Sequence, residues 1–310
     1  MGFPQLLLYA TPVFFLAMWI EYKMTEGTGI HLYTRKDFIT NIILGSGGVL
    51  FGVVSSSVGI SLYYLVYTAF APIRLKYIGY ESLGWGPIVW IVAMLADDFT
   101  YYWFHRTSHR IRILWACHIV HHNSERYNFS TSLRNGWFAI LYKPVFWYWL
   151  AATGIHPLMI LTCMAINIVY QFFCHTTMMP WLDTFSGILN TPGLHAIHHG
   201  KDDHCIDKNY AGIFIFFDRL FGTYQPIDRS RTISYGVTHP PRSENFYEVT
   251  IHEFRNILGC WKTTRSYKHR LLFLFKGPEW MPSIKRDEST RLRFVNPNLK
   301  ARNSKLDTRN

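Results

Sequence analysis

Several uncharged stretches, each about as long as a membrane crossing, constrain the fold of this chain more than any other feature. A transmembrane helix needs roughly 20 consecutive apolar residues. Three stretches are uncharged, at residues 2–20, 39–73 and 157–174. Two further apolar stretches approach the same length, residues 83–104, which contain Asp97 and Asp98 near their end, and residues 137–153, which Lys143 and Pro144 interrupt. We therefore predict an all-α integral membrane protein with about four to five transmembrane helices.

Two of these stretches carry more specific expectations. Residues 39–73 are longer than one crossing needs, so a tilted helix with an interfacial extension is predicted. Only residues 154–156 separate the last two stretches, which predicts a tight helical hairpin.

The distribution of charge predicts the orientation. Only 16% of the residues are charged, against about 25% in soluble domains. The net charge is +11, and 20 of the 31 lysines and arginines follow residue 200. With five crossings, most basic flanks fall on one side, which the positive-inside rule makes cytoplasmic. Anionic lipid head groups can account for this basic surface, so no nucleic-acid partner is expected.

The chain is predicted to form a single membrane-embedded domain over residues 1–285, followed by a polar tail at 286–310. Its five cysteines form no CxxC pair, so free thiols are expected. The membrane would be the endoplasmic reticulum in a eukaryote and the inner membrane in a bacterium, with the active site facing the cytoplasm.

Three clusters of histidine carry the functional signal. They follow HxxxH, HxxHH and HxxHH spacing, and their members are His105, His109, His118, His121, His122, His195, His198 and His199. Helical residues three and four apart share one face, so each cluster aims its imidazoles at one point. Imidazole binds iron, zinc, copper and nickel, and eight ligands exceed the needs of one ion. We therefore predict a di-metal site in a cytoplasmic helical cap, with His175 as a possible ninth ligand.

A buried carboxylate is expected beside this site. Asp98, Tyr102 and His105 share one helical stripe, and a carboxylate inside an apolar span is costly unless it is paired. A hydrogen bond from a metal-bound histidine to Asp98 would provide that pairing. The alternative is a carboxylate that caps a helix or links two helices. His31, His156, His252 and His269 are expected outside the site. Either His204 or His239 could line the site, although a loop position is favoured for both.

A histidine-rich pair of metals at a membrane surface suits oxygen activation against a lipid C–H bond. A zinc-dependent lipid hydrolase is the chemical competitor, because zinc also binds imidazole and activates water. A metal transporter is the non-enzymatic alternative. Transporters place their ligands near the bilayer midplane, whereas these clusters lie at the ends of the predicted spans.

The three clusters, in this order, resemble the histidine boxes of the membrane fatty acid hydroxylase / sterol desaturase superfamily. Residues 98–106 resemble the superfamily's segment that enters the first box. Further segments are similar to the alkylglycerol monooxygenases within the superfamily, and these segments are residues 121–134, 170–176, 207–212, 218–224, 235–240 and 275–278. The resemblance implies an oxidoreductase that uses iron, molecular oxygen and a membrane lipid. For the alkylglycerol monooxygenases it further implies ether-lipid cleavage with tetrahydrobiopterin, the alternative being a sterol desaturase or hydroxylase.

The resemblance also implies roles for individual residues. The eight histidines of the three clusters, together with His175, would be metal ligands. Glu125, Tyr127 and Asn128 follow the second box and, with Asp98, are candidate catalytic or orienting residues. The sequence contains no haem-binding domain, so we expect electrons from a separate donor protein or from reduced pterin.

Overall fold

A computed structural model describes residues 3–28 and 31–280, so the predicted tail at 286–310 lies outside the described part. Within that part the chain is helical, as predicted, and its only β-pairing consists of isolated bridges such as Leu189 with Phe214. The α-helices are α1 (Phe3–Thr25), α2 (Arg35–Ile78), α3 (Pro87–Arg110), α4 (Arg112–His122), α5 (Tyr148–Ala152), α6 (Pro157–Cys174), α7 (Pro192–His198), α8 (Phe216–Leu220), α9 (Phe246–Thr263) and α10 (Tyr267–Phe275).

Three helical segments of the described chain are long and apolar enough to cross a membrane, fewer than the predicted four to five. They are Leu6–Thr25 in α1, Ser57–Ile78 in α2, and α6 itself. The second stretch lies within one continuous helix, α2, which extends on the N-terminal side of the membrane-length segment Ser57–Ile78. The third stretch lies largely in α3, where Asp97 and Asp98 are completely buried.

The fourth predicted crossing, residues 137–153, is not a single helix, and this expectation was wrong. The segment consists of two 3₁₀ helices, Trp137–Leu141 and Lys143–Trp147, followed by the short helix α5. Pro144 contributes to this break, because proline disfavours the α conformation in the residue before it and has no backbone N–H to donate. The predicted hairpin is therefore an irregular segment that turns at residues 154–156 into α6.

This irregular segment nevertheless follows α2 for much of its length. The indole N–H of Trp137 donates to the carbonyl of Leu44 at 2.9 Å near one end. At the other end the guanidinium of Arg74 donates to the carbonyl of Ala152, also at 2.9 Å. These contacts tie the two ends of the segment to points 30 residues apart on α2.

The helices bring one end of the bundle together as a platform for the histidines. The C-terminal ends of α1 and α6 meet, and there Glu21 accepts a hydrogen bond from the hydroxyl of Thr176. The start of α2 lies near the chain that follows α4, since Asp37 accepts a hydrogen bond from the hydroxyl of Ser124 at 2.7 Å. α3 and α4 are joined through Ile111 alone. The histidine clusters therefore lie at or near helix ends.

Candidate metal centre

Four segments converge to place nine histidines in one buried region. These segments are the last turns of α3, the C-terminal part of α4, the residue that ends α6, and α7 with the residue after it. The 3.6-residue period of the α-helix puts positions three and four apart on one side. The spacings therefore direct the imidazoles of each box to one side of its helix, but the expectation that each box aims at a single point was wrong, because each HxxHH box divides its histidines between two groups.

The structure divides the nine side chains into two groups. Within each group, one ring nitrogen per histidine can be chosen so that all lie within 4.8 Å of one another. The five-histidine group comprises His105, His109, His118, His122 and His198. The four-histidine group comprises His121, His175, His195 and His199.

Adjacent histidines of each HxxHH box belong to different groups. His121 and His122 are separated in this way on α4, and His198 and His199 are separated at the end of α7. Consecutive residues on an α-helix point about 100° apart, so a neighbouring pair faces two different points. Each box thus holds the two groups side by side, which agrees with two metal positions.

Close approaches between ring nitrogens define the centre of each group. The Nε2 atom of His118 lies 3.0 Å from that of His105 and 3.2 Å from that of His122. In the other group the Nε2 atom of His175 lies 3.2 Å from that of His121 and 3.1 Å from that of His195. Two imidazole nitrogens that share a metal at about 2.1 Å are separated by roughly 2.9–3.4 Å, which fits these distances.

Backbone carbonyls orient several of the rings. The Nδ1–H of His105 donates to the carbonyl of Tyr210 at 2.8 Å, and that of His198 donates to the carbonyl of Lys208 at 2.8 Å. His175 donates in the same way to the carbonyl of Gln171 at 2.7 Å. A hydrogen bond at Nδ1 fixes the tautomer and leaves the Nε2 lone pair directed inward, as a metal ligand requires.

The loop that supplies two of these carbonyls has an unusual conformation. Asp207 and Asn209 adopt positive φ angles of 59° and 52°, in the left-handed region. Asp218 holds the following residues, because its carboxylate accepts the backbone N–H groups of Tyr210 and Ala211, both at 2.8 Å. Sequence reasoning did not identify this loop as support for the histidines. In the sequence, the loop was marked only by the resemblance of residues 207–212 to a segment of the alkylglycerol monooxygenases.

Burial keeps the histidines neutral. Desolvation lowers the pKa of His118 to about 3 and that of His198 to about 4. The pKa of His175 falls to about 4 for the same reason, and the pKa values of the other six lie well below their usual range. Neutral imidazole is the form that binds metals, so the site presents lone pairs at physiological pH.

Three ring nitrogens of the two histidine groups are buried without a hydrogen-bond partner in the described structure. The Nε2 atoms of His109, His198 and His199 are buried and have no hydrogen-bond partner within the described chain. Leaving such atoms unpaired costs about 1–3 kcal/mol each. A cation in each group would satisfy them, so the donor set fits a pair of metal ions.

Asp98 does not contact a histidine in the way that the sequence suggested. Its carboxylate accepts the backbone N–H of Ile213 at 2.7 Å and that of Phe214 at 2.9 Å. The side-chain amide of Asn167 donates a third hydrogen bond at 3.2 Å. Within the described residues, Asp98 therefore accepts no hydrogen bond from a histidine. Its carboxylate instead links α3 to the chain before α8, as in the alternative of a carboxylate that connects two elements.

The other three candidate residues differ in their surroundings. Glu125 is exposed and lies 3.8 Å from the ammonium of Lys201. Tyr127 is buried with its ring centroid 5.3 Å from that of His199, and its hydroxyl donates to the carbonyl of Cys174 at 2.8 Å. Asn128 caps the 3₁₀ helix Phe129–Leu133. Tyr127 is therefore the one that contacts a histidine ring, while Asn128 shapes the chain beside it.

The histidines expected outside the site do not belong to either group. His156, for example, caps α6 through its Nδ1 atom and lies with its ring centroid 4.7 Å from that of Trp85. All five cysteines lie in the described part of the chain, where they are buried and form no disulfide.

Comparison with known proteins identifies the relatives of this chain. Residues 90–223 match the family model described as fatty acid hydroxylase. An alkylglycerol monooxygenase of Xenopus tropicalis is 34% identical over 273 residues, which cover 88% of this chain and 59% of that protein. Alkylglycerol monooxygenases of Danio rerio and Homo sapiens are 35% and 40% identical, over 90% and 65% of this chain and 60% and 45% of their own lengths. The chain thus spans less than two thirds of each of these relatives. No solved structure matches it significantly.

Proposed function

We propose that the chain, whose residues 90–223 match the fatty acid hydroxylase family model, is a membrane-bound di-iron monooxygenase that attacks a lipid C–H bond. The single observation that carries this proposal is the pair of buried imidazole groups beside the end of the membrane-length helix α6. Both the metal ligands and the apolar segments that would admit a lipid are supplied by the same few helices.

The five-histidine group and the four-histidine group would each hold one iron ion. When bound, the two ions would activate molecular oxygen for hydroxylation of an unactivated C–H bond. The protein keeps the imidazoles neutral by burial and orients several of them through backbone carbonyls. This rigid arrangement would hold both ions without rearrangement of the helices.

The substrate class follows from the relatives and from the position of the site. Alkylglycerol monooxygenases are the relatives described above, so an alkylglycerol ether lipid is the proposed substrate. His175 ends α6, which places the four-histidine group at the end of an apolar segment. An alkyl chain lying beside α6 in the bilayer would bring its ether end to that level. The site would face the cytoplasm, in the endoplasmic reticulum or the bacterial inner membrane.

Hydroxylation of the ether carbon would give a hemiacetal, which breaks down to an aldehyde and a glycerol derivative. One oxygen atom of O₂ enters the product and the other leaves as water, so two electrons and two protons are required. Reduced tetrahydrobiopterin, or a separate electron-donor protein, would supply the electrons. A sterol desaturase or hydroxylase of the same superfamily is the alternative substrate assignment.

The test is metal analysis combined with oxygen uptake by the purified protein in phospholipid nanodiscs. We expect about two iron ions per chain and oxygen uptake that depends on an alkylglycerol and on reduced tetrahydrobiopterin. A sterol in place of the alkylglycerol separates the two substrate assignments. Iron-loaded protein that consumes no oxygen with either lipid and any reductant, or zinc-loaded protein that hydrolyses lipid, would contradict the proposal.

A further inference from the structure

Two short segments that follow α6 are joined side by side and expose apolar side chains. The first is the 3₁₀ helix Pro180–Phe185 with the turn after it, and the second is α8 with the residues before it. An isolated β-bridge pairs Leu189 with Phe214, and the N–H of Ile215 donates to the carbonyl of Ile188 at 3.0 Å. Five large apolar side chains of these segments are between 38% and 70% exposed and are called the apolar patch here: Trp181, Phe185, Ile188, Phe216 and Leu220.

Each segment turns its acidic residue inward. The side chain of Asp183, in the first segment, is only 10% exposed, and its carboxylate accepts the N–H of Gly193 at 2.9 Å. Asp218, in α8, is completely buried and accepts the N–H of Tyr210 at 2.8 Å. A helix on a water-facing surface has the opposite arrangement, with its apolar side chains toward the core and its charged side chains outward. The polarity of both segments therefore suits an apolar surrounding.

Hydrogen bonds connect the start of α8 to the interior of a membrane-length helix. Asn167 lies seven residues before Cys174, the last residue of α6, which is about 10 Å along the helix axis. Its side-chain amide donates to the carboxylate of Asp98 at 3.2 Å, and the same carboxylate accepts the N–H of Phe214 at 2.9 Å. Phe214 precedes α8 by one residue. The chain that leads into α8 is therefore linked to the interior of α6 and not to its end.

The first segment also begins beside membrane-length helices. Met179, the residue before Pro180, packs against the apolar cluster of Met18, Phe129 and Phe172. Met18 lies within the membrane-length segment of α1, and Phe172 lies within α6. The chain that leaves α6 therefore packs against both helices before the 3₁₀ helix starts.

Two arginines border the apolar patch. The guanidinium of Arg219 donates to the carbonyl of Ser186 at 3.3 Å, and Arg219 is exposed. The guanidinium of Arg229 donates to the carbonyl of Pro180 at 3.2 Å, and its side chain is 68% exposed. Exposed aromatic and aliphatic side chains beside arginines are typical of the membrane interface, where guanidinium groups reach lipid phosphates.

We infer that the apolar patch inserts into the phospholipid leaflet around the C-terminal ends of α1 and α6. A phospholipid bilayer offers both chemistries that this surface needs, acyl chains for the patch and phosphates for Arg219 and Arg229. Its continuity with the two membrane-length helices distinguishes the bilayer from a soluble partner, which would have to displace lipid to reach the same surface. The inference goes beyond the proposed function and does not depend on which reaction the metal centre performs.

The experiment measures the contact of the patch with lipid and with water. Ile188→Cys and Leu220→Cys are each labelled with the fluorophore NBD in full-length protein, with its native metal content, in phosphatidylcholine nanodiscs. Wild-type protein treated with the same reagent corrects for labelling of the five buried native cysteines. Quenching is then measured with a phosphatidylcholine that carries a nitroxide high on its acyl chain, and separately with aqueous iodide.

Ile206→Cys is the matched control. Ile206 is also an exposed isoleucine, at 45%, and it precedes Asp207, whose carboxylate pairs with Arg110 at the end of α3. Arg110 lies twelve residues beyond Asp98, which is about 18 Å along the helix axis. A label at residue 206 should therefore report water, whereas labels in the patch should report lipid.

We expect the nitroxide lipid to quench labels at positions 188 and 220 at least about threefold more than a label at position 206, and iodide to show the reverse order. Iodide quenching as strong in the patch as at position 206 would overturn the inference, because the patch would then face water. Protection from both quenchers would also overturn it, since a second copy of the chain or another protein would then cover the patch. Two label positions keep the test decisive if one variant does not fold. Lipid contact without oxygen uptake would refute the monooxygenase alone, and oxygen uptake without lipid contact would refute the inserted patch alone.

Discussion

The Nε2 atoms of His105 and His118 lie 3.0 Å apart, although the two residues belong to different helices. His118 also approaches the Nε2 atom of His122 at 3.2 Å. A neutral imidazole carries a single N–H, so one Nε2–H of His118 could serve only one of these neighbours well. A shared cation would satisfy all three nitrogens. The same reasoning applies to His175 between His121 and His195.

Removal of one histidine from each group should reveal two separate metal positions. We expect His198→Ala and His121→Ala each to lower bound iron by about one ion per chain. Turnover should fall by at least ~100-fold in both variants. Loss of a group that only hydrogen-bonds to a metal ligand already lowers activity about 10–100-fold, and loss of the ligand itself should lower it further. Metal analysis and oxygen uptake measure the two quantities. His31→Ala, at an exposed histidine outside both groups, is the control. Full turnover in either site variant would contradict the assignment.

The metal-free protein should lose stability as the pH falls from about 7 to about 4. Desolvation lowers the pKa of half-buried His118 to about 3 and that of buried His198 to about 4 in the folded state. In the unfolded chain histidine titrates near 6.5, so the unfolded state binds more protons between these values. The stability contribution is complete above about pH 6.5 and is lost as the pH falls toward the folded-state pKa.

Thermal unfolding followed by tryptophan fluorescence would check this dependence. His118→Ala removes one titrating group, so its metal-free form should show a shallower decline than the wild type. Iron-loaded protein should begin its decline at a lower pH, because the metal holds the imidazoles deprotonated. A melting temperature of the metal-free protein that does not change between about pH 7 and pH 5 would rule out this account.

Asp98→Asn should affect stability more than metal binding. An asparagine offers one oxygen where the carboxylate accepts from both Ile213 and Phe214, and its amide group would face one of those N–H groups. The expected loss in free energy of unfolding is ~1–3 kcal/mol. Iron affinity should change by less than about threefold, because Asp98 has no hydrogen bond to a histidine in the described structure. Asp203→Asn, at an exposed position, is the matched control. A large loss of iron from folded Asp98→Asn protein would instead support a hydrogen bond between Asp98 and a metal-bound histidine, as the sequence suggested.

The sequence was sufficient for the features that depend on local spacing. The HxxxH and HxxHH patterns predicted which histidines share a helix face, and the long uncharged stretches predicted apolar helices α1, α2 and α6. Residues 137–153 were misread because hydropathy does not register the effect of Pro144 on the backbone.

The partners of the histidines and of Asp98 could not be predicted, for a different reason. The carbonyls of Lys208 and Tyr210 are backbone groups, so their role leaves no trace in the residue type at those positions. The bond from Ile213 to Asp98 joins positions 115 residues apart and depends on tertiary structure. Lys143 interrupts an apolar stretch in the sequence, but only the fold shows that its ammonium lies 5.5 Å from the ring centroid of Phe104.

Asn209 should control the five-histidine group without contacting it. Its φ of 52° lies in the left-handed region. Its side-chain amide donates to the carbonyls of Leu194 and Gln225, at 3.1 and 3.0 Å. These bonds fix the loop on which Lys208 and Tyr210 present carbonyls to His198 and His105. Alanine at this position would lose the side-chain bonds and would add about 1 kcal/mol for the left-handed backbone. Glycine would lose the same bonds without that backbone cost.

We therefore expect Asn209→Ala to be the less stable variant, by roughly 1 kcal/mol relative to Asn209→Gly. Both should bind iron in the five-histidine group about 10–100-fold more weakly than the wild type, because the orientation of two ligand rings is loosened. Lys208→Ala is the matched control, since only the backbone carbonyl of that residue contacts His198. Competition with a chelator of known affinity measures iron binding, and thermal unfolding measures stability. If Lys208→Ala weakened iron binding as much as Asn209→Ala, the effect would come from the side chains of the loop and not from its backbone conformation.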